Sequence, residues 1–208
     1  MSEIQFKRER FLAAKAMTSK GAPQASKIRI CVAFEAGKTS YDINVKDLKG
    51  HSTNRRLGDN DLFVIHSLGL GVMVEDALLK GMAPTLAYPI QKSDDLTDVG
   101  LKGLVANGHG YALYNGNLSL TTDQVVDIQA LPTSVFLSVP PAQEVGVVGS
   151  NVEDAAYILP EIITLSGQKD HAIRIEFGTA ETDIKGETGS TAYLVFEAYG
   201  WTLQGAAK

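Results

Sequence analysis

The stretch Thr191-Ala-Tyr-Leu-Val-Phe-Glu-Ala-Tyr-Gly-Trp-Thr-Leu203 decides the reading of the fold. Successive side chains of a strand point to opposite faces. Here Tyr193, Val195, Tyr199 and Trp201 fall on one face, and Leu194, Phe196 and Ala198 on the other. Apolar residues on both faces predict a strand that lies centrally in its sheet or is covered twice.

Working back along the chain, the period of two recurs. His171, Ile173, Ile175 and Phe177 alternate with Arg174 and Glu176, which predicts a half-buried strand. Ile162 to Leu165 is a short apolar run closed by Ser166-Gly167. Val135, Leu137 and Val139 alternate with Ser134 and Ser138 until Pro140-Pro141 ends the run, as a strand end or edge. Asn115-Gly116, inside Ala112 to Leu120, is the favoured pair of a two-residue type I′ hairpin, with Leu118 and Leu120 on one face beyond it. Val125 to Ile128 extends or follows that strand. Leu62 to Leu68 is apolar on both faces, and Gly69 to Val74 continues it with flexible breaks. Tyr41, Ile43 and Val45, and before a turn at 36–39 Ile28, Ile30, Val32 and Phe34, complete the pattern. Residues 49–60, 75–103, 144–154 and 178–190 read as loops or irregular chain. About eight strand candidates at this spacing predict an all-β fold, an antiparallel β-sandwich or barrel.

Residues 1–26 read differently. Phe6, Arg10, Phe11, Leu12, Ala13, Ala14 and Ala16 are compatible with a short helix, and Thr18 to Ser26 is a polar linker with Gly21 and Pro23. This divides the chain into an N-terminal basic arm, 1–26, and a β domain, 27–208. Net charge is −5 overall, but residues 1–29 hold seven basic and two acidic groups, so the remainder is net −10. Lys7, Arg8, Arg10 and Lys15 are therefore the candidate contacts of the arm with nucleic acid or with the acidic surface of a neighbouring copy. A solvated terminus is the plainer reading of the same charges.

Composition bounds the rest. With 44% apolar and 21% charged residues the chain reads as an ordinary globular protein. No apolar run of about 18 residues predicts a membrane helix, and the charged N-terminus lacks the apolar core of a secretory signal. Cys31 is the only cysteine, so no disulfide within the chain forms, and a small hydrophobe in a strand is its expected role. His51, His66, His109 and His171 stand far apart with no metal-ligand spacing. His66 is expected as a hydrogen-bonded core or interface residue. No phosphate loop, nucleophile elbow or dinucleotide fingerprint occurs. The acid pairs Asp94-Asp95 and Glu153-Asp154 read as solvated charge, and Arg55-Arg56 as a surface loop. Neither a catalytic residue nor a cofactor is expected. Tyr193, Tyr199 and Trp201 share one face of the last strand and are candidate interface aromatics; joined by Tyr111 and Tyr114 they are also a candidate stacking platform for carbohydrate, with core packing as the plainer alternative.

Tyr114 to Leu120 leading to Phe136 to Pro140, then Leu159 to Gln168 with His171 to Phe177, then Tyr193 to Leu203, all behind a basic arm, resemble the jelly-roll virion proteins of bacteriophages. The resemblance covers about half the chain and lies in architecture, with no diagnostic motif, so it assigns no functional residue. It implies a jelly-roll sandwich, a capsid or capsid-associated role, homo-oligomers and other virion proteins as partners, and a chain made in the host cytoplasm and carried in the virion. The surplus apolar face of strands 62–68 and 191–203 is then expected to be covered in part by a neighbouring subunit. A carbohydrate- or receptor-binding head and an enzyme on the same scaffold are the competing classes.

Overall fold

The computed structural model describes residues 23–35, 37–45, 57–75, 85–86, 115–136, 156–178 and 191–205. Among the described residues nine strands run in chain order: β1 Gln24–Ala33, β2 Ser40–Asn44, β3 Leu62–Glu75, β4 Thr85–Leu86, β5 Gly116–Thr122, β6 Val125–Pro132, β7 Tyr157–Ser166, β8 His171–Phe177 and β9 Thr191–Leu203. They form two antiparallel sheets. The larger has the order β1-β9-β3, with β7 and the two-residue β4 both on the far edge of β3; the smaller has the order β2-β8-β5-β6. The all-β expectation is borne out. Among the described residues no helix is long and apolar enough to cross a membrane. The expected N-terminal helix and most of the arm lie outside the described residues, and β1 begins at Gln24, inside the stretch expected as linker.

One apolar core joins the sheets. Ile28, Ile30, Phe63, Ile65, Leu68, Leu70, Leu194 and Phe196 of the larger sheet meet Tyr41, Ile43, Leu118, Leu120, Ile173 and Ile175 of the smaller. This is face-to-face packing of two layers. Tyr41, Phe34 and Phe177 close one end of the core with edge-on ring contacts, Phe34 to Tyr41 at 5.7 Å and Tyr41 to Phe177 at 5.9 Å. The period-two readings of β2, β5 and β8 hold, and β8 alternates buried and exposed along its whole length. The turn after β1 also holds: Gly37 has φ 72° and the Lys38 amide donates to Glu35 O at 3.1 Å. It carries the chain from one sheet to the other, so β1 and β2 do not pair.

Three local expectations are corrected. The two-residue hairpin is at Asp123-Gln124, not Asn115-Gly116: Asp123 and Gln124 have φ 46° and 71°, and Thr122 pairs with Val125 across them. Both central positions of a type I′ turn need positive φ. Gly116 instead opens β5, where a Cβ would collide with the carbonyl of Glu176 on β8. The glycine serves a close backbone approach there. Residues 133–136 form a 3-10 turn instead of a strand, with Phe136 fully buried and the Thr133 hydroxyl accepting the Gly116 amide at 2.9 Å. Residues 137–139 lie outside the described residues.

Gly69 and Gly71, expected as flexible breaks, do not break β3. They sit within a continuous strand opposite Glu197 and Val195 of β9. The interruption of β3 is at His66. Ile65 pairs with Gly200 and Ser67 with Tyr199, so His66 is an extra residue. This bulge moves the inward parity from Phe63 and Ile65 to Leu68 and Leu70, keeping all four in the core.

Candidate functional site

The face of the larger sheet turned away from the shared core holds the aromatic set singled out from sequence. Its residues come from three adjacent strands. On β9 they are Tyr193, Val195, Glu197, Tyr199, Trp201 and Leu203; opposite them on β1 are Ala33, Cys31, Arg29 and Lys27. On β3 the partners are Met73, Gly71, Gly69, Ser67, Val64 and Leu62. Its centre is buried within a single chain, while Lys27 at the β1 edge is exposed. Val64 and Val195 have no exposed surface, Met73 is 1% exposed, and Trp201 and Tyr199 are 8% and 7% exposed. Val64, Trp201 and Leu203 make one apolar cluster with Leu62 and Ile162, and Cys31, Met73 and Val195 another with Tyr193. The prediction of a central strand covered twice is therefore correct for β9 and β3.

Between the two clusters lies a charged group that sequence reading missed. Glu197 is 3% exposed. Arg29 Nε is 3.4 Å and Lys27 Nζ 3.5 Å from its carboxylate, and the Tyr199 hydroxyl donates to its other oxygen. Arg29 stands directly across from Glu197 in the β1–β9 ladder, and Lys27 across from Tyr199, with Nζ 5.9 Å from the ring centre. The Arg29 Nη2 group also reaches Met73 Sδ at 3.4 Å. A carboxylate buried at this depth needs such partners. Held by two cations and a phenol, it clamps β1 onto β9. The available signal was a lone acid in an otherwise apolar strand; its partner is set by register between residues 168 apart in number, which periodicity does not give.

The Cys31 thiol is pushed above its ordinary range by burial, with Glu197 adding and Arg29 opposing. This fits the expected inert, small-hydrophobe role. His66 is half-buried, its Nδ1 2.8 Å from Ser67 Oγ and its ring 4.8 Å from Trp201, in agreement with a hydrogen-bonded histidine. His171 is 1% exposed: Nε2 is 2.7 Å from Ser166 O and Nδ1 is 3.2 Å from Thr122 Oγ1. It ties β8 to the ends of β7 and β5, across the two sheets.

The opposite surface, the outer face of the smaller sheet, is polar and exposed. Arg174 grips Asp42 through two hydrogen bonds of 2.6 and 3.0 Å and lies 3.9 Å from Glu176. The Arg174 guanidinium holds the Asp42 carboxyl below the usual carboxylate range. Asn117, Ser119 and Thr121 of β5 share this face.

Lys7, Arg8, Arg10 and Lys15 lie outside the described residues, as do Arg55-Arg56, His51, His109, Tyr111, Tyr114 and both acid pairs. Among the described residues no group of three His, Cys, Asp or Glu side chains is placed to hold a metal ion. Comparisons with protein-family models, with curated proteins and with solved structures find no match to this chain.

Proposed function

We propose that this chain is a jelly-roll structural subunit of a virion, a capsid or capsid-associated protein that assembles with copies of itself and with other virion proteins. The observation that carries the reading is the nesting of its strand pairs. β1 pairs with β9, β2 with β8, β3 with β7 and β5 with β6. A chain paired in this way is one long hairpin with its tip at Asp123-Gln124. Successive pairs alternate between the two sheets, which is how a jelly roll is wound. The order β1-β9-β3-β7 over β2-β8-β5-β6 supports that topology, with β4 as an addition on β3.

The step from jelly roll to shell subunit is a fold-level likeness. It is joined to the uneven charge of the sequence, net −10 beyond residue 29 behind a basic N-terminus. In this reading the basic residues Lys7, Arg8, Arg10 and Lys15 contact nucleic acid or an acidic neighbouring copy, and the role is non-enzymatic, carried out in the virion after synthesis in the host cytoplasm. The contacts between copies draw on the exposed smaller sheet and the arm. The apolar outer face of the larger sheet, expected from sequence to be covered in part by a neighbour, is already largely buried in one chain. Burial of Tyr199 and Trp201, which offer almost no surface to a sugar, weighs against the carbohydrate-platform reading.

Sedimentation velocity on the full chain over a rising concentration series tests the proposal. Species heavier than the 22.3 kDa chain that grow with concentration are expected; a single monomeric boundary throughout contradicts self-assembly.

A further inference from the structure

Strand β6 ends the smaller sheet, and among the described residues no strand pairs with its outer edge. It is also highly exposed: only Ile128 and Leu131 of its eight residues reach half-burial. Val125 is 63% and Val126 55% exposed. An open edge bearing apolar side chains is a template for strand addition by another copy.

The register of β6 argues against such use. Leu118 pairs with Leu131 and Leu120 with Ile128, so Gln129 and Ala130 together oppose Ser119. The next pair after Leu120–Ile128 is Thr121–Val126, which leaves Asp127 as a second extra residue. Ala130 takes a left-handed φ of 51°, and its amide donates to the Ser119 hydroxyl at 3.2 Å. Pro132, at the strand end, has no amide hydrogen. Each extra residue reverses which peptide groups face outward. The outer edge thus loses the every-second-residue row of donors and acceptors that an incoming strand requires.

We propose that the two bulges of β6 close this edge to strand addition, so that copies of the chain brought close together do not join sheet to sheet along it. The inference stands on the register of β5 and β6 and holds whether or not the wild-type chain assembles. Deleting Asp127 and Ala130 together restores one-to-one pairing from Thr122–Val125 to Asn117–Pro132. The variant is expected to shift to faster-sedimenting species that bind thioflavin T at concentrations where the wild type does not. Adding Val126→Lys to the deletion variant is expected to reverse the shift, because a charge at the edge opposes pairing. A deletion variant that keeps the wild-type circular dichroism and the wild-type sedimentation overturns the proposal. Should the deletions prevent folding, hydrogen exchange of the wild type at low and high concentration decides. Unchanged exchange of the Val126 to Ala130 amides upholds the closed edge; protection gained there with concentration overturns it.

Discussion

Strands β8 and β9 follow one another in the chain, yet they show opposite surfaces. Both turn one face to the shared core. The other face of β8 carries Ala172, Arg174 and Glu176 in solvent, whereas that of β9 carries Val195, Glu197 and Trp201 out of it. Each strand thus presents a glutamate on its outer face, with opposite consequences. Glu176 is 54% exposed, at the end of an ion-pair ladder; Glu197 is 3% exposed and surrounded by Arg29, Lys27 and Tyr199. The difference teaches that the hydrophobic pattern of a strand reports how many of its faces are covered, and that a charge inside a doubly covered strand marks a partner on its neighbour.

Paired substitutions at matching outward positions test this contrast. The largest separation is expected between Val195→Asp and Ala172→Asp. The first places an unpaired carboxylate in a sealed apolar site and costs several kcal/mol, enough to prevent folding of a marginally stable domain. The second stays within about 0.5 kcal/mol of wild type. Urea unfolding followed by tryptophan fluorescence reads both, and equal losses would mean that the two faces are covered alike. Next comes the glutamate pair. Glu197→Ala removes the acceptor of a buried cluster and is expected to cost about 3 kcal/mol, while Glu176→Ala stays within about 0.5 kcal/mol.

A smaller effect of opposite sign is expected at the hairpin tip. Gln124→Gly relieves a left-handed φ of 71° on a residue with a Cβ and is expected to stabilise by about 0.5 kcal/mol, seen as a raised Tm. The smallest belongs to the exposed ladder. Because Arg174 holds the Asp42 carboxyl below its ordinary value, the stabilisation from this pair is present above the unfolded value, about pH 4, and is lost as pH falls through the lowered folded value. Both side chains are more than half exposed, so the acid-induced drop in Tm that disappears in Asp42→Asn is expected to be slight and to fade in high salt.

Much of this architecture was legible because period two is a local property. His171 to Phe177 alternates without exception, and the structure follows it residue by residue. Thr191 to Leu203 announced two covered faces, and both are buried. What was not legible depended on partners distant in sequence. Asn115-Gly116 carries the strongest local hairpin signal, but the collision a Cβ would make with Glu176 shows that packing against β8, not a turn, fixes the glycine. Asp123-Gln124 turns instead, with the Asp123 amide held by Asp170 O at 2.9 Å and its carboxylate by Lys169 at 3.0 Å. The bulge at His66 and the clamp at Glu197 depend on register in the same way. The candidate aromatics Tyr199 and Trp201 were rightly placed together on one face, but periodicity does not say whether that face meets solvent or the chain itself.

Negative-stain electron microscopy of the purified chain, imaged at increasing concentration, is the sharpest test of the proposal that this two-sheet protein assembles into a shell. Regular closed particles or discrete rings of repeated copies are expected under the proposed function. Fields containing only isolated particles the size of one chain, at every concentration, would contradict it.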